Sequence, residues 1–176
     1  MSRLPPVPYA DWDTEALSVL SIPGKPLPPS NVLGLMANHP DLARAFLTFN
    51  FHLLATSTIS ARIRELAILR IAWRRRSTYE WTQHLRIAAK VGITDAEIQE
   101  IRDGTPTLIN RAVDELDGDS SLSDETYAEL ALTMDDRQLM DFVFTVGAYA
   151  LLAVAFTTFQ LELDPGLTAE NLDVSK

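Results

Sequence analysis

Glu65, Glu80 and His84 stand where the surrounding pattern calls for apolar side chains. Glu80 and His84 are four residues apart, which puts them on one helix face, and the same face continues through Ile87, Ala88 and Val91. A carboxylate beside an imidazole favours the imidazolium and fixes the ring, while partial burial opposes the charge. That balance brings a histidine near neutrality, where it serves proton transfer best. Glu65 has Ala61, Ile68, Leu69 and Ala72 as helical neighbours, a stripe in which a carboxylate is costly unless paired or protonated. Arg64 and Arg70 are its nearest cationic partners in sequence. The chemistry these residues admit is proton transfer. Each also has a plainer reading. Ser77-Thr78-Tyr79-Glu80 is S-x-x-E, a helix capping box. His84 then merely satisfies a carboxylate, and Glu65 forms an ion pair under a helix crossing.

Other chemistries are poorly supplied. There is no cysteine, which removes disulfides, thiolate metal sites and cysteine nucleophiles together. His39, His52 and His84 are scattered, with no H-E-x-x-H, so no metal site is expected. Neither a glycine-rich phosphate loop nor G-x-S-x-G occurs. The net charge is -9, and residues 95–136 hold 13 acidic against 2 basic side chains. Nucleic acid and anionic membrane surfaces are poor partners for such a chain.

The elements that must position these residues read as helices throughout. The 176 residues suit one domain with a sizeable core. Residues 1–30 are a proline-rich arm (Pro5, Pro6, Pro8, Pro23, Pro26, Pro28, Pro29), lying over the domain or a neighbouring subunit, with room for a helix only over about 13–20. A single helical domain follows over 31–165, then a loose tail over 166–176. Within the domain, a short helix covers 31–36. Pro40 opens a helix to about Ala55. Ser60 caps one over 61–74, and Ser77 starts another that Gly92 ends. Thr94 and Glu97 form a capping box for a helix over 95–103. Residues 107–116 form a further helix. Ser123 or Asp124 caps one to about Leu132, and Asp135 or Asp136 starts the last, to about Glu162. Arg74, Arg75 and Arg76 complement a helix C-terminus. Phe142 to Leu161 is uncharged for twenty residues, long enough for a bilayer. Its threonines, Gln160 and acidic flanks instead predict a buried core or subunit-interface helix in a soluble, cytoplasmic protein.

RELAILRIAW (64–73), YEWTQH (79–84) and AAKVGITDAEIQEI (88–101) together resemble the carboxymuconolactone decarboxylase family, whose relatives include the alkylhydroperoxidase D-like proteins. The resemblance covers about residues 38–104 well and the last helix more loosely. It implies an all-α, alkylhydroperoxidase D-like helical bundle, a homo-oligomer (commonly a trimer or hexamer), and a pocket near the start of the His84 helix. In the peroxidase branch that helix carries C-x-x-C-x-x-x-H, with a glutamate on the preceding helix. Laid on this chain, the cysteines fall on Ser77 and Glu80, the histidine on His84 and the glutamate on Glu65. The relay residues are present and both redox residues are absent, so thiol peroxidase chemistry is excluded. The decarboxylase branch uses neither metal nor cofactor, and implies a lyase or isomerase acting on a small carboxylated or lactone-like metabolite. His84, Glu65 and Glu80 would be catalytic; Tyr79, Arg64, Arg70 and Ser77 would bind substrate. The chain departs from true decarboxylases in its YEWTQH run and in lacking a Y-x-G-x-P segment beyond Ile101. A non-catalytic ligand-binding or structural oligomer on the same scaffold is the alternative.

Overall fold

The computed structural model describes residues 2–20 and 27–169, and among them all regular structure is helical. Eight helices follow in order: α1 (Asn31–Met36), α2 (Pro40–Phe51), α3 (Ala61–Arg74), α4 (Thr78–Lys90), α5 (Asp95–Asp103), α6 (Leu108–Gly118), α7 (Asp124–Ala131) and α8 (Asp136–Phe159). A π-helical turn, His52–Thr56, extends α2, and short 3-10 turns occupy Tyr9–Asp11 and Ser18–Leu20.

Most starts obey local cap chemistry. The side chains of Ser60, Thr94, Thr107, Ser123 and Asp135 each accept from the amide three residues on. This satisfies donors that the first helical turn leaves without partners. Thr94 with Glu97, and Asp135 with Gln138, close full capping boxes. Gly104 ends α5 at φ 71°, a left-handed conformation that a side chain resists.

α3 is the centre of the molecule. Ala67, Ile68, Leu69, Ile71 and Ala72 are wholly buried, so this stretch of the helix is enclosed on nearly all sides. It packs against α4, α5, α6 and α8. One side of it joins α6, α7 and α8 through Ala112, Val113, Leu130, Phe142 and Val146. The other joins α4 and α5 around Trp81, where Trp73 and the Arg102 guanidinium flank the indole. The N-terminal arm lies over its own chain. Arg3 N–H donates to the Phe159 carbonyl, Val7 N–H to the Gly34 carbonyl, and Trp12 is buried on α1 and α2.

Four expectations change. Residues 13–20 make turns and one 3-10 turn rather than an α-helix. α2 closes at Phe51, and the chain continues to Thr56 as the π turn. α8 ends at Phe159, three residues early, with Gln160 left-handed at φ 53°. The capping box at Ser77 does not form. Pro23 and Pro26 of the arm, and 170–176 of the expected loose tail, lie outside the described residues.

Candidate active site

The site forms where α3, α4 and α8 meet. Glu65 is fully buried on α3, and α4 lies across it carrying His84. The ring Nδ1 of His84 and Oε2 of Glu65 are 2.6 Å apart. Oε1 of the same carboxylate accepts from Arg64 Nε at 3.1 Å. Arg64 Nη1 in turn donates to the Leu54 carbonyl at 3.0 Å, tying the pair to the π turn. Glu65 thus has a partner on each oxygen, as a buried carboxylate requires. With Nδ1 engaged, Nε2 is the ring atom left to exchange a proton.

Glu80 is the second carboxyl of the site and differs sharply from the first. It is buried, and neither oxygen has a hydrogen-bond partner of good geometry. Desolvation pushes its pKa up to about 8, and the nearby Ser77 hydroxyl opposes that rise without reversing it. At neutral pH Glu80 therefore holds its proton, which makes it a donor rather than an acceptor. No Glu80–His84 hydrogen bond forms despite the i, i+4 spacing, so Glu65, not Glu80, orients the imidazole.

Ser77 explains why the box fails. The six hydroxyl and carboxylate caps elsewhere have ψ between 147° and 174°. Ser77 has ψ 89°, following the left-handed Arg76 at φ 53°. Its hydroxyl is consequently buried without a partner at the start of α4. It lines a cavity of about 220 Å³ walled by Tyr79, by Phe156 of α8 and by Gln160 just beyond that helix.

Two expected binding residues are engaged elsewhere. Tyr79 O–H donates to Asp164 Oδ2 at 2.9 Å, and Gln83 donates to the same oxygen. Burial and the Asp164 charge hold the Tyr79 phenol well above its ordinary pKa. Its role is to fasten α4 to the segment after α8. Arg70 points to the far side of α3. It grips Asp114 with Nε and Nη2, both at 2.7 Å, and gives Nη1 to the Ile101 carbonyl. So Arg64, Glu65, His84, Glu80 and Ser77 gather around the start and middle of α4, whereas Arg70 does not.

Tyr149 joins the site without having been anticipated. Its ring stands edge-on to His84, with centroids 5.0 Å apart and planes at 88°. Burial, then the Glu65 and Glu80 carboxyls, raise its pKa well above the phenol range, so it remains a neutral O–H. The one available signal was a lone phenol within the uncharged run 142–161. No metal-holding group of three or more His, Asp or Glu occurs among the described residues.

The sequence model of the carboxymuconolactone decarboxylase family matches residues 40–105, the span from α2 to α5 that holds Glu65, Ser77, Glu80 and His84. Over this segment the chain is similar to the carboxymuconolactone decarboxylase family. It contains no cysteine. Comparison with curated proteins returned no match. Solved structures extend the likeness to the whole fold. The alkylhydroperoxidase AhpD core of an uncharacterized peroxidase-related protein from Ralstonia eutropha JMP134 aligns over 93% of each chain, at 15% identity and TM-score 0.76. An uncharacterized peroxidase-related protein from Silicibacter sp. TM1040 covers 77% of each chain at 14% identity and TM-score 0.67. A protein of unknown function from Agrobacterium tumefaciens, described as an AhpD-type antioxidant defence protein, covers 72% of this chain and 93% of its own, at 14% identity and TM-score 0.62. At such identities the likeness establishes the alkylhydroperoxidase D-like helical fold and nothing about substrate.

Proposed function

We propose that this protein is a cofactor-independent lyase or isomerase acting on a small carboxylated or lactone-like metabolite, with His84 as the proton-transfer residue. The observation that carries the reading is the buried 2.6 Å Glu65–His84 pair. Glu65 stabilises the imidazolium and orients the ring, so that Nε2 gives or takes the proton. In a decarboxylation, the carbon–carboxylate bond breaks and its electron pair passes to the adjoining carbonyl as an enolate. Carbon dioxide leaves, and the imidazolium then protonates carbon. Neutral O–H groups suit a developing oxyanion, and Glu80 and Tyr149 both keep their protons at neutral pH. Arg64, beside Glu65, is the cation nearest the pair for a substrate carboxylate.

His84→Ala and Glu65→Gln test this on a panel of small β-keto acids and lactone acids. Both folded variants should lose turnover, by about 10²–10⁴-fold for His84→Ala. Wild-type rates in both would end the assignment.

The engagement of Tyr79 and Arg70 in internal bonds favours a second reading, a ligand-binding or structural oligomer without catalysis. Under that reading a panel ligand binds and shifts the melting temperature, yet is recovered unchanged.

A further inference from the structure

α4 and α5 both pack on α3, and the turn at Val91 and Gly92 joins them. Between them lies a cavity of about 490 Å³, within the size range of small-molecule sites. Ala88, Ile93 and Ile98 form its floor, all three buried in the cluster around Trp81, and Leu85 adds to it from α4. Arg86 and Arg102 line it far from the turn, and Asp95 lines it next to the turn.

Arg102 is the informative residue. Its guanidinium lies over the Trp81 and Trp73 rings, with Cζ 5.4 and 5.8 Å from their centroids. A guanidinium stacked in this way keeps its charge and presents its N–H groups at its edge. Yet its Nε is buried without a hydrogen-bond partner. A buried donor without an acceptor is costly, and a ligand oxygen removes that cost. Among the described residues, no carboxylate pairs with Arg102 or Arg86. Arg62, Arg70, Arg74, Arg75 and Arg111, by contrast, each hold one. The chain carries a net charge of -9, so acids to pair with are plentiful. Water supplies an acceptor, but not the negative charge that two arginines on one apolar cavity call for.

We infer that this groove is a binding site for a monocarboxylate with an apolar body. Its carboxylate meets the N–H edges of Arg102 and Arg86, and its body lies along Leu85, Ala88, Ile93 and Ile98. Asp95 limits the charge. It precedes Arg102 by seven residues on α5, about 10 Å along the helix, and repels a second carboxylate at the turn end. The ligand is therefore singly charged. The groove opens on the α5 side of α4, whereas His84 on that helix meets Glu65 of α3 and Tyr149 of α8. It is thus separate from the candidate active site, and the inference is independent of the catalytic reading.

Calorimetric titration of the full chain with octanoate tests the site, with octanamide and octanedioate as the uncharged and doubly charged counterparts. At low salt octanoate should bind with a Kd of about 1 mM or tighter, and the other two at least about tenfold more weakly. In NMR spectra of the same titration, the Arg102 Nε–H resonance should shift and the His84 ring protons should stay in place. Arg102→Gln should weaken octanoate at least about tenfold. Arg102 also packs on Trp81, so two variants at exposed positions keep the test open if that one unfolds. Arg86→Gln should weaken octanoate several-fold, and Ala89→Phe, whose ring enters the cavity, should block it, both with wild-type helicity by circular dichroism. No octanoate binding up to about 10 mM, equal binding of octanamide or octanedioate, or wild-type affinity in folded Arg86→Gln and Ala89→Phe would each overturn the proposal. So would octanoate shifts that fall on the His84 ring in place of Arg102.

Discussion

Glu65 and Glu80 are two buried carboxyls on adjacent helices with opposite treatment. Glu65 is compensated by Arg64 and His84, whereas Glu80 is compensated by neither. Removing His84 or Arg64 therefore leaves a buried charge short of a partner, and Glu65→Ala should destabilise by about 3–5 kcal/mol. Urea unfolding monitored by circular dichroism measures it. Glu80 acts through pH. Its folded pKa of about 8 exceeds the ordinary 4.5, so between those values the unfolded state has lost the proton that the folded state keeps. The Glu80 contribution to stability must then fall as pH rises from about 4.5 to 8 and level off above, a loss on the order of 5 kcal/mol. Glu80→Gln should flatten this: in denaturant titrations at pH 5 and pH 8.5, the variant should gain on wild type at the higher pH. An equal difference at both pH values would mean that Glu80 ionises normally. The sequence revealed Glu65 and His84 because ionisable groups interrupt apolar stripes. It hid Tyr149, because contact with His84 depends on how α8 crosses α4, 65 positions away in the chain. It left Ser77 open between helix cap and site residue, because the motif S-x-x-E carries no information on ψ.

Among the elements, the π turn and the first turns of α8 are locked by Asp141. One carboxylate oxygen accepts from His52 Nε2 at 2.8 Å, and the other from the Thr58 amide and hydroxyl at 2.6 and 2.7 Å. Burial alone would raise the Asp141 pKa, but the Thr58 and His52 bonds outweigh it and bring the carboxyl down to about 2. A depressed carboxylate contributes stability above its unfolded pKa and loses it as pH falls, here between about 4 and 2. Asp141→Asn should remove about 1–2 kcal/mol at pH 7, allowing for the solvent-facing side of the site, and nothing below pH 2. Thermal melts across that range test the sign. Arg70 and Asp114 hold α3 to α6, and Arg74 and Arg75 share Asp117 one turn on. The arginine run is thus an inter-helix clamp as well as a helix end. Arg70→Ala should cost about 3–5 kcal/mol of stability and leave the His84 environment unmoved in proton NMR spectra. The helix starts were legible because Ser, Thr and Asp caps are local chemistry. The break at Phe51 was not, because the π turn is held by Arg64 and Asp141, which reach it from α3 and α8.

At the scale of the molecule, apolar periodicity and the absence of convincing strand alternation conveyed an all-helical domain. The same composition marked α8 as apolar enough to span a bilayer, and half of its most apolar window is in fact buried within the chain. Which residues of that helix stay exposed (Met140, Phe144, Leu151 and Val154 among them) depends on how α8 lies on α3 and α6, which the sequence does not specify. Peroxide chemistry belongs to this scale too, since the relatives of the fold carry peroxidase-related names. Without a thiol, consumption of an organic hydroperoxide in the presence of a dithiol should stay at the uncatalysed rate. The central claim is that His84, oriented by Glu65, moves a proton on carbon. Its most direct test is deuterium exchange in D₂O, following the proton α to the carbonyl of small lactone acids and β-keto acids by NMR. The account predicts exchange or decarboxylation of at least one panel member by wild type, and its loss in folded His84→Ala. Exchange at the wild-type rate in His84→Ala, or none by wild type across the panel, would contradict it.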